Sequence, residues 1–325
     1  MPSVLVTFPA EAEARSALAS GLGAAGSAVF LEDASERQRS EALEGADAVI
    51  AWNPSRELRA GELERLGHVR LLQLVSAGAN HLPFDRIPES VKIASNVGAF
   101  AEPMAEHVLA MALALAKRLP QKHAELAAGG FHQRPPTRRV EGLVCGILGF
   151  GAIGKATARR MRPLGVRIHA VNTSGATDED VEFAGTLADL DAVLAASDIV
   201  VVALPLTKAT DGLIGARELG LMKPDAILIN VARAAIVQER ALYEHLVANP
   251  EFTAGIDAWW VEPFSGDEFR TDLPFLELPN VLGSPHNSAI VPGIIEHAAG
   301  MAAENVAAFL RGEPVRGLVR PQDYA

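Results

Sequence analysis

A chain of 325 residues is too long for one ordinary hydrophobic core and calls for two domains. Its formal net charge of −11 is spread along the chain, which sets aside nucleic acid and anionic membrane as partners and demands local positive charge for any anionic substrate. The composition, 49% hydrophobic and 21% charged, is globular, and a single cysteine, Cys145, leaves no internal disulfide framework and no multi-cysteine metal site.

The N-terminal Met1-Pro2-Ser3-Val4-Leu5-Val6-Thr7-Phe8 lacks a charged region followed by a long apolar stretch, so it reads as a first strand rather than a secretion signal. No apolar run approaches the roughly 20 residues of a membrane span, and a cytoplasmic protein without bound metal is expected. Strand-like runs at 4–8, 46–52, 71–75 and 91–95 alternate with alanine- and glutamate-rich helical stretches at 11–19 and 35–43, which implies a parallel sheet. The loop Ser76-Ala77-Gly78-Ala79-Asn80 follows the third run, at the edge where open α/β sheets present ligand loops. A long apolar helix is predicted from Glu102 to Arg118, with Pro103 near its start and Pro120 beyond its end. Residues 129–142, with their glycines, prolines and arginines, read as an exposed connector or arm.

The apolar run at 143–148 then enters Gly149-Phe150-Gly151-Ala152-Ile153-Gly154, and good helix formers follow as far as Pro163 and Gly165. Strand, Gly-x-Gly-x-x-Gly, helix is the order that dinucleotide binding demands. The first glycine permits the tight turn, the second lets backbone approach a pyrophosphate, the third lets helix and strand pack closely, and the helix N-terminus offers N–H groups to phosphate. Cys145, inside this strand, reads as a small core residue. Further strands are predicted at 166–171, 199–204, 226–230, 253–257 and 281–284, with helices at 187–196 and 239–248 between them and a last helix at 291–311.

Three strand ends deliver chemistry to the edge that carries the glycine loop: Asn230-Val231-Ala232-Arg233, Asp257 to Pro263, and Ser284-Pro285-His286-Asn287. Ligands of such sheets bind outside the carboxyl ends of the strands, so Arg233, Glu262 and His286 converge on one crevice. A guanidinium there clamps a carboxylate in a bidentate pair, a histidine exchanges a proton near neutral pH, and a carboxylate beside it orients the ring. The helical His107, His245 and His297 read as packed or exposed rather than catalytic residues.

With these residues in place the chain resembles the D-isomer-specific 2-hydroxyacid dehydrogenase family over nearly its whole length. The likeness rests on the Gly149 to Gly154 loop, Leu204-Pro205-Leu206-Thr207 with Thr210, Asn230 to Arg233, Asp257 to Pro263, and Ser284-Pro285-His286. In the first domain it rests on Ser76-Ala77-Gly78, Asn96-Val97-Gly98 and Ala105-Glu106-His107. The resemblance implies two doubly wound parallel-sheet α/β domains, a Rossmann-like cofactor domain at 101–288 inserted into a flavodoxin-like substrate domain made of 1–100 and 289–325, and a homodimer. It implies hydride transfer between NAD(P)H and a small anionic 2-oxo acid, such as glyoxylate or hydroxypyruvate. Arg233 would hold the substrate carboxylate and polarise its carbonyl, His286 would protonate the new hydroxyl, and Glu262 would stand behind His286. Asp257 would meet the nicotinamide amide, Leu204, Pro205, Thr210, Val231 and Ala232 would line the cofactor, and Ala77 and Gly78 would bind the carboxylate through backbone N–H groups.

Ala234 and Gln238 depart from the family pattern, where glycine and aspartate are usual, without touching this chemistry. The departure with consequences is Asn172-Thr173-Ser174. An acid about 20 residues past the glycine motif normally binds the ribose 2′-OH and repels a 2′-phosphate. Asn172 is uncharged and Thr173 and Ser174 carry hydroxyls, although no arginine follows, so the reading leans to NADP with NAD open. Three other readings share the scaffold. Formate dehydrogenase chemistry would call for glutamine in place of Glu262, phosphite oxidation retains a similar arginine, glutamate and histidine set, and a corepressor-like nucleotide sensor would carry a partner-binding extension. The Trp259-Trp260 pair is divided between core packing and the substrate pocket.

Overall fold

The computed structural model describes residues 1–263 and 268–324. The chain forms two compact units, Met1–Phe100 with Val291–Ala325, and Ala101–Ile290. In the first unit, strands β1 (Ser3–Val6), β2 (Ser27–Phe30), β3 (Ala48–Ala51), β4 (Leu71–Leu74) and β5 (Lys92–Ala94) form an all-parallel sheet in the order β2-β1-β3-β4-β5. That is the flavodoxin-like order. Helices α1 (Ala12–Leu22), α2 (Glu36–Gly45) and the one-turn α3 (Pro54–Glu57) connect the strands. Every residue of β3 and β4 is buried, as expected of strands covered on both faces, so their sequences run apolar rather than alternating.

The second unit opens with α4 (Ala101–Ala116), whose Ala101, Ala105, Val108, Met111, Ala112 and Leu115 form one buried stripe. Arg118 takes a left-handed conformation (φ 49°), ends that helix and starts another, α5 (Leu119–Ala127), with Pro120 in its first turn. Pro120 thus begins a helix where the sequence suggested only a stop. No residue of α5 is buried, so no apolar stripe announced it. Residues 129–142 carry no helix or strand. Arg138 anchors the end of this segment by donating to Asp198 Oδ1 (2.6 Å); Lys223 Nζ reaches the same oxygen (2.8 Å) and the Val144 N–H takes Oδ2 (2.8 Å).

Seven parallel strands follow: β6 (Val144–Leu148), β7 (Arg167–Val171), β8 (Phe183–Gly185), β9 (Ile199–Val202), β10 (Ile227–Asn230), β11 (Thr253–Ile256) and β12 (Val281–Gly283). Their order, β12-β11-β10-β9-β6-β7-β8, is the doubly wound dinucleotide order with one strand added, and its switch point lies between β6 and β9. Helices α6 (Ala152–Met161), α7 (Leu190–Ala196), α8 (Ala216–Leu221) and α9 (Glu239–Ala248) complete the layers. One core lies under α7, α8 and α9, the other under α4 and α6. Cys145 belongs to the second, where burial pushes its thiol pKa up and leaves it inert.

The chain then returns to the first unit through α10 (Ile294–Leu310), which packs on α1 and on β3 and β4. A Cβ on Gly21 of α1 would lie 2.7 Å from Gly300 O, so the two helices approach at backbone distance. Asn305 of α10 donates to the fully buried Gln73 of β4 (2.7 Å). Beyond it the chain runs antiparallel along β5, with Ala94 bridged to Leu318 and the Ser95 and Val319 N–H groups bonded to Gly317 O and Ile93 O. This covers an edge that would otherwise be open. Among the described residues no helix is long and apolar enough to cross a membrane.

Candidate active site

The glycine loop lies at the switch point, and each glycine is there for a different steric reason. Gly149 has φ 99°, and a Cβ on it would lie within 2.6 Å of the Ala203–Leu204 peptide at the end of β9. A Cβ on Gly154 would lie 2.5 Å from Gly149 O, so α6 rests directly on the turn. Gly151 differs: it precedes α6 with ordinary dihedrals (φ −87°), and a Cβ there would meet nothing within 4 Å. The open space over Gly151 faces the first turn of α6, whose leading N–H groups have no partner inside the helix. That combination of close-packed turn and open cradle fits a pyrophosphate, with Phe150, Ala152 and Ile153 completing the loop.

The three strand ends from β10 to β12 are adjacent in the sheet, Asn230 paired with Ile256 and Ile256 with Gly283. At the first, the buried Asn230 shapes the loop: its Oδ1 accepts from the Ala232 N–H (3.0 Å) and its amide donates to Arg233 O (3.0 Å). Val231 and Ala232 are buried while Arg233 is half-buried, with Nη1 donating to Ala232 O (2.7 Å).

The other two ends interlock. His286 Nδ1 lies 2.7 Å from Glu262 Oε1, and because a carboxylate only accepts, Nδ1 carries the proton. The same Oε1 accepts from the Trp259 N–H (2.7 Å), which fixes the carboxylate, and Trp259 Nε1 donates to Ser284 O (2.8 Å). Trp259 is buried, and Trp260 stacks on Phe275 with its indole N–H on Val237 O, so both tryptophans belong to the core. Asp257, with no exposed surface, holds the His286 loop from beneath: Ser284 Oγ donates to Oδ1 (2.5 Å), the Asn287 N–H to Oδ1 (3.1 Å) and the Ser288 N–H to Oδ2 (3.2 Å). The His286 N–H donates to Asp257 O (2.9 Å). His286 itself has φ 49°, a left-handed conformation that costs a non-glycine residue about 1 kcal/mol or more and persists where surroundings enforce it.

The remaining predicted residues shape loops. Thr210, buried, donates to Pro205 O (2.6 Å) and accepts from the Thr207 N–H (2.9 Å), so it folds the turn after Leu204. Asn172 Oδ1 accepts from the Ser174 and Gly175 N–H groups (3.0 and 2.8 Å) and its amide donates to Ala176 O (2.8 Å). Ser174 Oγ lies 3.1 Å from both Asn172 Oδ1 and Ala176 O, while Thr173 is exposed. In the first unit, Ser76 Oγ donates to Gly78 O (2.9 Å), curling the loop that carries Ala77.

Sequence reasoning missed Asn230, Trp259 and Ser284 as organisers of this site, and it read His107 as packed or exposed. His107 Nε2 lies 2.9 Å from Ser284 Oγ. The Ser-Pro-His run was the available signal for Ser284.

Residues 109–288 match the family model described as D-isomer specific 2-hydroxyacid dehydrogenase, NAD binding domain. Over 267 residues the chain is 33% identical to the glyoxylate/hydroxypyruvate reductase B of Pectobacterium carotovorum subsp. carotovorum, a match covering 80% of this chain and 82% of that one. It is 32% identical over 226 residues to the D-3-phosphoglycerate dehydrogenase of Archaeoglobus fulgidus; the match takes in 68% of this chain but only 42% of that longer protein. Among solved structures, the D-isomer specific 2-hydroxyacid dehydrogenase of Xanthobacter autotrophicus Py2, in complex with NADPH and MES, superposes with a TM-score of 0.81 at 26% identity, covering 100% of this chain and 99% of the other.

Proposed function

The chain belongs to the D-isomer-specific 2-hydroxyacid dehydrogenase family, and from that premise we propose that it reduces a small 2-oxo acid to the D-2-hydroxy acid with NAD(P)H. The observation that carries the reading is the His286–Glu262 pair, 2.7 Å apart, on the sheet edge that also carries the glycine loop. The nicotinamide, when bound, supplies the hydride. Arg233 binds the substrate carboxylate and draws electron density from the adjacent carbonyl. His286 delivers a proton from Nε2 to the carbonyl oxygen as it becomes a hydroxyl. Glu262, fixed by the Trp259 N–H, holds Nδ1 and so keeps Nε2 as the atom that gives up the proton. Ala77 and Gly78 are assigned to the carboxylate through their backbone N–H groups.

Gly149 to Gly154 is assigned to the pyrophosphate, Asp257 to the nicotinamide amide, and Leu204, Pro205, Thr210, Val231 and Ala232 to the cofactor's length. NADP is favoured over NAD because Asn172 brings no charge against a 2′-phosphate and holds the Thr173-Ser174 turn in place. The names of the relatives point to glyoxylate and hydroxypyruvate as substrates. A homodimer is assigned to the face carrying α5 and the segment after it, where Leu119 (57%), Leu126 (59%) and Phe131 (80%) are exposed. A cytoplasmic location accords with this chemistry.

The test is steady-state oxidation of NADH and NADPH with glyoxylate, hydroxypyruvate, pyruvate and bulkier 2-oxo acids, with formate and phosphite oxidation run beside it. Turnover of 2-oxo acids, faster with NADPH, is expected. A protein that binds the cofactor yet turns over no 2-oxo acid overturns the reading.

A further inference from the structure

A proton count around Asp257 assigns a role to a residue two elements away from the proposed chemistry. Asp257 is a fully buried carboxylate, and such a group is tolerated only when donors surround it. Among the described residues its side-chain donors all come from one loop: the hydroxyl of Ser284 and the N–H groups of Asn287 and Ser288. Pro285 has no N–H, and the His286 N–H reaches Asp257 O. The backbone of the His286 loop is therefore tied to the residue that follows β11.

The Ser284 hydroxyl carries one proton, and at 2.5 Å from a carboxylate that only accepts, the proton points to Asp257 Oδ1. Ser284 Oγ must then be the acceptor in its 2.9 Å contact with His107 Nε2. His107 Nε2 is itself 3.9 Å from Asp257 Oδ1, too far to bond it directly. The proton-bearing nitrogen of His107 thus fixes the rotation of a hydroxyl, and the hydroxyl completes the shell of the carboxylate that holds the loop.

We propose that His107, acting through Ser284, is a positioning residue for Asp257 and for the left-handed backbone of His286. Without the His107 donor, the Ser284 hydroxyl is free to rotate to other staggered positions, and the fully buried Asp257 Oδ1 keeps one donor, the Asn287 N–H. The loop then relaxes and His286 leaves its strained conformation. The effect falls on proton delivery rather than on carboxylate binding, which belongs to Arg233 at the end of a different strand. This inference rests on the proposed role of His286.

The experiment compares His107→Leu, His107→Gln, Ser284→Ala and the His107→Leu/Ser284→Ala pair in the full-length protein. A glutamine amide presents an N–H near the position of histidine Nε2; leucine presents none. With the best 2-oxo acid, kcat is expected to fall about tenfold in His107→Leu, with the substrate KM within twofold, and to recover to within threefold of the wild type in His107→Gln. The double variant is expected to lose no more than the worse single one, since both break one chain. Full activity in His107→Leu, no rescue by glutamine, or additive losses would overturn the proposal. A second readout is independent of turnover. Proton–nitrogen NMR of the wild type should show His107 protonated at Nε2, and His107→Leu should shift the ring signals of His286. A wild type inactive on every 2-oxo acid would sink the proposed reaction, whereas a His107 ring carrying its proton on Nδ1 alone, or unmoved His286 signals, would sink the positioning chain.

Discussion

Two substitutions separate the demands that the glycine loop makes on folding and on binding. In Gly154→Ala the new Cβ stands 2.5 Å from Gly149 O and 3.0 Å from Ile147 Cγ2. The oxygen belongs to a turn that cannot give way, because Gly149 is itself at φ 99° against the Ala203–Leu204 peptide. Carbon and oxygen come no closer than about 3.3 Å in ordinary contact, so α6 must lift by most of an ångström. Such overpacking costs about 1–3 kcal/mol, against about 1 kcal/mol gained when alanine replaces glycine in a helix. Because the turn cannot give way, the cost falls in the upper half of that range, and the net loss of about 1–2 kcal/mol corresponds to a fall in Tm of roughly 2–8 °C for a domain of this size. Gly151→Ser works the other way. Its Cβ meets nothing within 4 Å, and serine is a better residue than glycine before a helix, so Tm should not fall. The side chain instead fills the cradle over α6, and the Kd for NAD(P)H should rise at least fivefold, equivalent to about 1 kcal/mol. Calorimetry and cofactor fluorescence titration of both variants decide the matter. An unchanged Tm in Gly154→Ala, or wild-type cofactor affinity in Gly151→Ser, would refute the steric argument.

Arg233→Lys keeps the charge but loses the planar fork, and kcat/KM for the 2-oxo acid should drop between ten- and a hundredfold, roughly the 1.5–3 kcal/mol of a hydrogen bond to a charged group. Glu262→Gln retains an acceptor for the Trp259 and His286 N–H groups but not the charge; kcat should fall about tenfold, and Glu262→Ala, which leaves the Trp259 N–H without its partner, should fall further and also lower Tm. Burial alone would raise the Asp198 carboxyl, but the hydrogen bonds from Lys223 and the Val144 N–H, with the charges of Lys223 and Arg138, outweigh it and hold the pKa below the ordinary carboxylate range. A depressed acid stabilises the fold above its unfolded value and loses that contribution as pH drops through the folded one. Tm of the wild type should therefore decline below about pH 4, with a shallower decline in Asp198→Asn, which starts lower at pH 7. Phe131→Asp with Leu126→Asp should convert the proposed homodimer to monomers in light scattering without loss of secondary structure; a dimeric mass unchanged by the pair would remove α5 from the proposed interface.

What was legible in the sequence was whatever the backbone imposes on residue type. Gly149 and Gly154 can be nothing larger, and the buried strands β3, β6, β9 and β10 run apolar because both faces are covered. Arg233, Glu262 and His286 stood out because polar groups directly after such runs must lie at the carboxyl edge. The elements that escaped notice are short and half-exposed: β2 and β8 are the outer strands of their sheets, with little burial to pattern them, and α5 buries nothing. The His107–Ser284–Asp257 chain left no trace because its members are far apart in sequence, 177 residues between the first two, and side-chain hydrogen bonds across such distances obey no period. Asn172 was read for its missing charge, whereas its visible work is to cap the turn of Ser174 and Gly175.

The return of the chain through α10 sets the order in which the molecule can assemble. Asn96 needs Ala298 O, Gln73 needs Asn305, and Ser95 needs Gly317, partners 202, 232 and 222 residues downstream. The second unit, by contrast, is one uninterrupted stretch of chain. During synthesis it can close its sheet while the first unit still lacks the helix that covers β3 and β4. Until α10 emerges, those two strands present an unfinished apolar face, and closing a loop of more than two hundred residues onto it is entropically easier once the intervening unit has collapsed. The second unit can thus be complete while the first still waits for α10, and substitutions that loosen α10 should expose newly made chains to aggregation before they affect any chemistry.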